Sequence, residues 1–334
     1  MKPPHRLPLN LLSGMSVLLF TMLLFACKGK KNLAKIDPEF SKYIEAYTSG
    51  VISKKNTIRI QLTSDVSTTH TLNETLKDEL FDFSPSVTGK AYWTDERTIE
   101  FKPDKDLTPN ELYEISFRLD KVRKVPSKFN TFTFNVQVIK PSFSVEDNGL
   151  KVINNSKDQM SLSGVVLTAD VESNDKVEIV LRAAHTGNDI KIKWQHNEAD
   201  KVHNFTIDSI HRGPNANKLA LNWDGDALNV KLKDAKEIEV PAEGDFKVLS
   251  VRTVQEDETY TLVQFSDAVA INQDLNGLIA ISEQPDISYT INGSEVKVYA
   301  ANKLEGNFRV TVNEGIMNLW GMKLNKIFYC QCVL

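Results

Sequence analysis

Six histidines are spread along the chain, and His196, His203 and His211 share one polar stretch with Glu198 and Asp200. Imidazole and carboxylate are zinc ligand types, but zinc needs three or four of them converging tetrahedrally. Neither a helical His pair nor a Cys-x-x-Cys knuckle is present, so this stretch reads as a solvated hairpin loop between Trp194 and Phe205. A second cluster, Asn272-Gln273-Asp274-Leu275-Asn276-Gly277 with Ile279 and Glu283, follows the twelve-residue calcium loop except for Asn at its first place. That loop requires flanking helices, and residues 263–270 and 287–298 alternate as strands do. It therefore reads as a turn with Gly277 at positive φ. Cys330-Gln331-Cys332 sets two thiols on one face of a terminal strand, without the second pair that a redox or metal role would require. Gly-x-Ser-x-Gly and Gly-x-x-x-x-Gly-Lys-Ser/Thr are absent, and no Cys and His stand in a nucleophilic pattern. The expectation is a non-enzyme with no metal and no cofactor.

Cys27 has a different setting. Residues 1–26 hold no acidic group, and their only full charges are Lys2 and Arg6. Residues 11–26 are mostly Leu, Met, Phe and Val, so the front end reads as an export signal. Its uncharged run, residues 7–26, could also just span a bilayer, which makes a signal anchor the rival. Leu24-Phe25-Ala26-Cys27 separates the two. It resembles the bacterial lipobox, in which a small residue precedes a cysteine that is diacylated and becomes the mature N-terminus. Phe25 departs from the small residue usual there. The resemblance implies a signal peptide over residues 1–26, lipidation at Cys27 and attachment to a membrane, with multiple acyl chains making the anchor stable. Lys28-Gly29-Lys30-Lys31 is basic. Surface-exported lipoproteins of Bacteroidetes-like bacteria resemble one another in carrying acidic residues here, so the expected placement is periplasm-facing.

The elements that would hold these residues are nearly all β. The 334 residues, with 40 Lys+Arg against 44 Asp+Glu and 41% hydrophobic, predict two or three globular domains. No basic stripe follows residue 35, which excludes a nucleic-acid partner held by phosphate neutralisation. One amphipathic helix is expected in a lipidated linker over residues 27–50. Asp37 would cap it, Pro38 would open it and Gly50 would close it, with Phe40, Tyr43, Ile44 and Tyr47 on one face as a lid on the first domain. Period-2 alternation then predicts strands at 58–62, 98–101, 112–117 and 131–138, in a sandwich over 51–140. A middle β-domain, 141–243, has expected strands at 177–181, 189–194 and 204–207, with Asp224-Gly225 turning a hairpin between 221–223 and 228–230. Pro241-Ala242-Glu243-Gly244 marks the next junction. The segment 244–334 repeats the first sandwich. Residues 61–66 answer to 264–269, 95–101 to 293–299, and 110–117 to 306–312.

Asp37-Pro38-Glu39-Phe40-Ser41-Lys42-Tyr43-Ile44-Glu45-Ala46-Tyr47, continuing to Ser53, resembles the segment after the lipobox in Bacteroidetes α-2-macroglobulin lipoproteins. Phe265-Ser266-Asp267-Ala268-Val269 with Gln273-Asp274-Leu275-Asn276-Gly277-Leu278 resembles a motif opening one of their Ig-like macroglobulin domains, and Trp320-Gly321-Met322-Lys323-Leu324 fits the end of such a domain. The resemblance implies an all-β chain of tandem Ig-like, macroglobulin-like sandwiches, with proteases or further macroglobulin domains as partners. It also implies trapping through a cleaved bait region and a Cys-x-Glu-Gln thioester. This sequence departs from that chemistry. Ser282-Glu283-Gln284 lacks the cysteine, Cys330-Gln331-Cys332 lacks Glu-Gln, and no bait region is identifiable. The expected function is thus the non-catalytic N-terminal anchor and spacer of a macroglobulin-like protease inhibitor, cut short at its C-terminal end. The alternative is an independent Ig-like lipoprotein that binds glycans or proteins through exposed Trp194 or Trp223.

Overall fold

The computed structural model describes residues 33–66, 71–153 and 155–334. Cys27 and the expected export signal lie outside them. Among the described residues no helix is long and apolar enough to cross a membrane. The chain divides into two compact units, residues up to 52 with 56–138, and residues 53–55 with 139–334.

The first unit is an Ig-like β-sandwich. Its strands are β1 (Ile44–Tyr47), β2 (Gly50–Ile52), β3 (Ile58–Leu62), β4 (Phe81–Ser84), β5 (Gly89–Trp93), β6 (Thr98–Pro103), β7 (Leu112–Arg118) and β8 (Thr131–Val138). They form two sheets, β1-β3-β6-β5 and β2-β8-β7-β4, with β2 lying parallel to β8. Alternation puts Ile58, Ile60 and Leu62 from one sheet against Ile115, Phe117 and Phe134 from the other, all fully buried. Each such side chain contributes about 1.5–3 kcal/mol.

The helix expected at 38–50 is absent. A 3-10 turn, Pro38–Lys42, leads directly into β1 and β2. Asp37 does cap that turn, accepting from the Glu39 amide at 2.9 Å. The spacing misled because a bulge between Ile44 and Ala46 resets the alternation. The same apolar residues thus reach the core by another path, with Phe40 against Phe129 and Phe132 and Tyr47 against Phe132 and Phe134. Strand pairing on both sheets satisfies backbone groups over a segment where a short isolated helix is marginal.

The second unit holds two sandwiches with separate cores. The middle one comprises β9 (Phe143–Val152), β10 (Gln159–Thr168), α1 (Asn174–Val180), β11 (Leu181–His185), β12 (Asn188–Ile190), β13 (Lys193–Asn197), β14 (Val202–His211), β15 (Asn217–Asp224) and β16 (Lys233–Val240). Its sheets are β13-β14-β10-β9 and β12-β11-β15-β16. Gly164 lets β10 pass under Phe205, since a Cβ there would lie 2.4 Å from the ring and 2.3 Å from the Glu146 carbonyl oxygen.

Three expectations are corrected here. Residues 177–181 are mostly helix. Val177 and Val180, one helical turn apart, fill the core while Ile179 stays exposed, so packing overrides the β preference of branched side chains. Residues 189–194 are not one strand, because the chain leaves one sheet after Ile190 and enters the other at Lys193. The hairpin at Asp224-Gly225 resumes at Lys233 rather than at 228. Asp224 caps a 3-10 turn, Gly225–Leu228, and Leu228 is buried in the core.

The third sandwich contains β17 (Val248–Gln255), β18 (Thr259–Phe265), β19 (Ile279–Ile281), β20 (Ile287–Asn292), β21 (Glu295–Ala300), β22 (Asn307–Val312) and β23 (Phe328–Val333). Its sheets, β17-β18-β21-β20 and β19-β22-β23, repeat β1-β3-β6-β5 and β4-β7-β8 strand for strand. The three repeated sequence blocks fall on β3 and β18, β6 and β21, and β7 and β22. One strand breaks the symmetry. The chain crosses from β1 to β2 in the first copy, whereas β17 stays paired with β18 throughout, leaving the outer edge of β23 without a partner strand among the described residues.

Candidate functional site

No three His, Cys, Asp or Glu side chains converge as a metal-ligand set among the described residues. The calcium-like loop explains itself as a turn. Asp274 accepts from the Asn276 amide and the Tyr289 hydroxyl, and Gln273 bonds Ala270 O, Met317 O and Met317 N. Gly277 has φ +75° as expected, and no helix flanks the segment. Trp194 and Trp223 are half-buried against the middle core rather than displayed as platforms.

The histidine stretch is not a loop. His196 and His203 face each other across the β13–β14 ladder, with their Nδ1 atoms 2.9 Å apart, while Glu198, Asp200 and His211 lie apart from that contact. Glu178 Oε1 holds His196 Nε2 at 3.1 Å, and Trp194 stacks on the His196 ring. His203 is fully buried, and its Nε2 has no partner. Burial and then the neighbouring His196 push the His203 pKa down. Glu198 and then Glu172 oppose that shift, and Glu172 is itself paired with Lys54 at 2.7 Å.

The most developed polar site is one that sequence reasoning missed. Arg212, just past β14, is wholly buried and points into the junction between the middle and third sandwiches. Its Nε donates to Pro241 O at 3.1 Å. Nη1 donates to Lys157 O, Ser266 O and Asp267 Oδ1 at 3.2, 3.0 and 2.6 Å, and Nη2 donates to Ala242 O at 2.6 Å and to Asp245 O and Asp267 Oδ2 at 3.4 Å each. Ser266 Oγ donates to Asp267 Oδ2 at 2.7 Å and fixes the carboxylate. The fork of five N–H groups thereby ties the end of β14, the 241–245 linker and the end of β18 into one joint. Leu249, from β17, adds apolar contact by packing onto the middle core. The repeated Ser-Asp block could have drawn attention to Asp267. In that register its counterpart is Ser64, which is exposed, so the repeat carries no sign of burial.

Beside this joint lies a cleft of about 500 Å³, lined by three strands that each stand at a sheet edge, β9, β16 and β17. Its walls carry Lys236 paired with Asp147, Lys247 paired with Glu239 at 2.7 Å, and Arg252. Burial works against the charge on Lys247, but Asp245 and Glu239 outweigh it and hold the pKa above the ordinary lysine value. The size is in the range of ligand pockets, and the lining has no nucleophile–base pair.

Cys330 and Cys332 project from the same face of β23 as expected, with their Sγ atoms 3.7 Å apart.

No family model matches the chain, and no curated protein matches it. Similar solved structures include L,D-transpeptidase 3 from Mycobacterium tuberculosis, at 12% identity and a TM-score of 0.21, covering 37% of this chain and 45% of that one. The full ectodomain of mouse nectin-like molecule 4 (Ig1–Ig3) matches at 10% identity and a TM-score of 0.25, covering 86% of this chain and 96% of that one. Domains 4–9 of the surface layer protein SbsC match at 13% identity and a TM-score of 0.30, covering 90% and 47%. The chain thus spans less than half of the transpeptidase that it matches. Likenesses this loose have no bearing on activity, ligand or partner.

Proposed function

We propose that this chain is a non-catalytic, membrane-anchored spacer, acylated at Cys27, periplasm-facing, and of the kind that carries a macroglobulin-like protease inhibitor. The observation supporting it is the Arg212 joint. A spacer must fix the angle between successive sandwiches, and a buried, fully bonded guanidinium does so where a solvated linker would not. The repeated sandwich and the resemblance around Asp37–Ser53 supply the macroglobulin context. Metabolic labelling with an alkynyl palmitate is expected to mark the wild type and not Cys27→Ala, which should leave the membrane fraction. Label retained in C27A would remove the anchor. Proteolytic shaving of intact cells is expected to spare the protein, and its loss would reverse the placement. Reading the coding frame past Leu334 tests the inhibitor context, since further sandwich sequence with a Cys-x-Glu-Gln string is expected and a lack of both would end that reading.

The cleft between β9, β16 and β17 favours a second reading, an independent binding module for glycans or proteins. A glycan array probed with residues 33–334 separates the two, because a spacer gives no saturable binding.

A further inference from the structure

Two of the three strands that line the cleft beside the Arg212 joint are irregular where they border it. On β9, Asp147 pairs with Gly164 and Leu150 with Leu162, so Asn148 and Gly149 together oppose Ser163. On β17, Val248 pairs with Phe265 and Ser250 with Gln264, which leaves Leu249 over. Each is a β-bulge, a feature that ends or re-aims strand pairing and is common next to functional sites. The bulges face each other. Gly149 has φ +78°, and a Cβ built on it would have Ser250 Oγ, at 3.8 Å, as its one neighbour within 4 Å.

β16 forms the open side. Val251 O on β17 is met by the Cys330 thiol, and Gly149 on β9 stands beside Ser250. β16 pairs with β15 along one edge alone, and both Lys236 and Glu237, on its opposite faces, are exposed. An edge strand of this kind turns main-chain N–H and C=O groups outward, ready to pair with another chain. The charges of the cleft are nearly all answered from within. Asp147 is held by Lys236, Glu237 by Lys218 at 2.6 Å and Glu239 by Lys247 at 2.7 Å. Arg252 is exposed and has neither a carboxylate nor a hydrogen-bond partner among the described residues.

These features select among ligand classes. No aromatic ring lines the cleft, so a sugar finds no surface to stack on. A free edge beside half-buried Ile238 and Leu249 suits an extended peptide, which pairs through its main chain and sends alternate side chains into the cleft. The unanswered guanidinium suits a carboxylate, which its planar fork matches. We propose that the cleft binds an extended peptide segment that adds alongside β16 and pairs an acidic side chain with Arg252. This inference rests on the second reading above, the independent binding module, and gives that module its ligand class.

The test uses the full chain and short fluorescent peptides of alternating valine and threonine, with a central glutamate, glutamine or lysine, read by anisotropy. The glutamate peptide is expected to bind saturably at one site per chain, and the glutamine peptide about tenfold more weakly. Arg252→Glu should reverse the preference in favour of lysine, and Arg252→Gln should remove it. Arg252 is exposed, so both variants should fold, which circular dichroism checks. N-methylation of alternate amides along one edge of the peptide should abolish binding, and along the other edge should spare it. Equal affinity for glutamate and glutamine, a glutamate preference surviving in R252E, or tolerance of both methylated forms would each overturn the proposal. Saturable binding on a glycan array without peptide binding would overturn the peptide and leave the second reading standing, whereas binding of neither would end both.

Discussion

Asp267→Asn tests the joint most directly, because it keeps the volume and removes one charge. In the native structure the Arg212 guanidinium and the Asp267 carboxylate are 0% and 3% exposed and meet at 2.6 Å. Asparagine carries no charge and leaves a buried cation uncompensated. Breaking a buried pair in this way costs about 3–5 kcal/mol. For a unit of this size each kcal/mol lowers the melting temperature by about 2–4 °C, so the second unit should melt about 6–20 °C earlier. Differential scanning calorimetry reads this, with the first unit as internal control. The double variant Arg212→Met/Asp267→Leu sharpens the point. Apolar replacement of a buried ion pair is often neutral or stabilising. Here Arg212 also serves the carbonyls of Lys157, Pro241, Ala242 and Ser266. Each one left buried and unpaired costs about 1–3 kcal/mol. The double variant should therefore be no more stable than D267N. A double variant melting with the wild type would refute the reasoning, because it would mean that water serves those carbonyls.

Two further outcomes concern the middle sandwich. Gly164→Ala must displace the Phe205 ring or the Glu146 carbonyl, and overpacking of this kind costs about 1–3 kcal/mol, seen as a lower urea midpoint at unchanged slope. His203 has a lowered pKa in the folded state, so the unfolded chain takes up a proton that the folded chain refuses. Its contribution is complete above about pH 6.5 and is lost as pH falls below that value. The urea midpoint of the second unit should drop between pH 7.5 and 5.0. His203→Asn should flatten that drop, and an unchanged drop in the variant would exclude His203 as its source.

The parts legible in the sequence were those set by local alternation. β3, β7 and β8 each bury one face, and the period-2 pattern of Ile58-Arg59-Ile60-Gln61-Leu62 records it directly. The all-β architecture and the repeat of β3, β6 and β7 in β18, β21 and β22 follow from such patterns. Residues 38–50 and 177–181 were misread because apolar spacing fits both periods over a single turn. What decided between them was pairing with β3 and β8 in one case and core packing of Val177 and Val180 in the other. The His196–His203 contact depends on where a hairpin turns, which the polar letters between them do not specify. Arg212 was invisible for a deeper reason: five of its six partner residues offer backbone oxygens, which every residue type provides.

That last feature reaches beyond energetics. A joint whose acceptors are mostly main-chain oxygens leaves Lys157, Pro241 and Ala242 free to change identity so long as the local path of the chain is kept. The hereditary record of this joint is thus compressed into an arginine and, 55 positions on, an aspartate with the serine that holds it. Relatives that share the joint could differ nearly everywhere along the linker. They would be recognised by that spaced pair between two runs of strands, a signature too sparse for alignment and plain enough to search for directly.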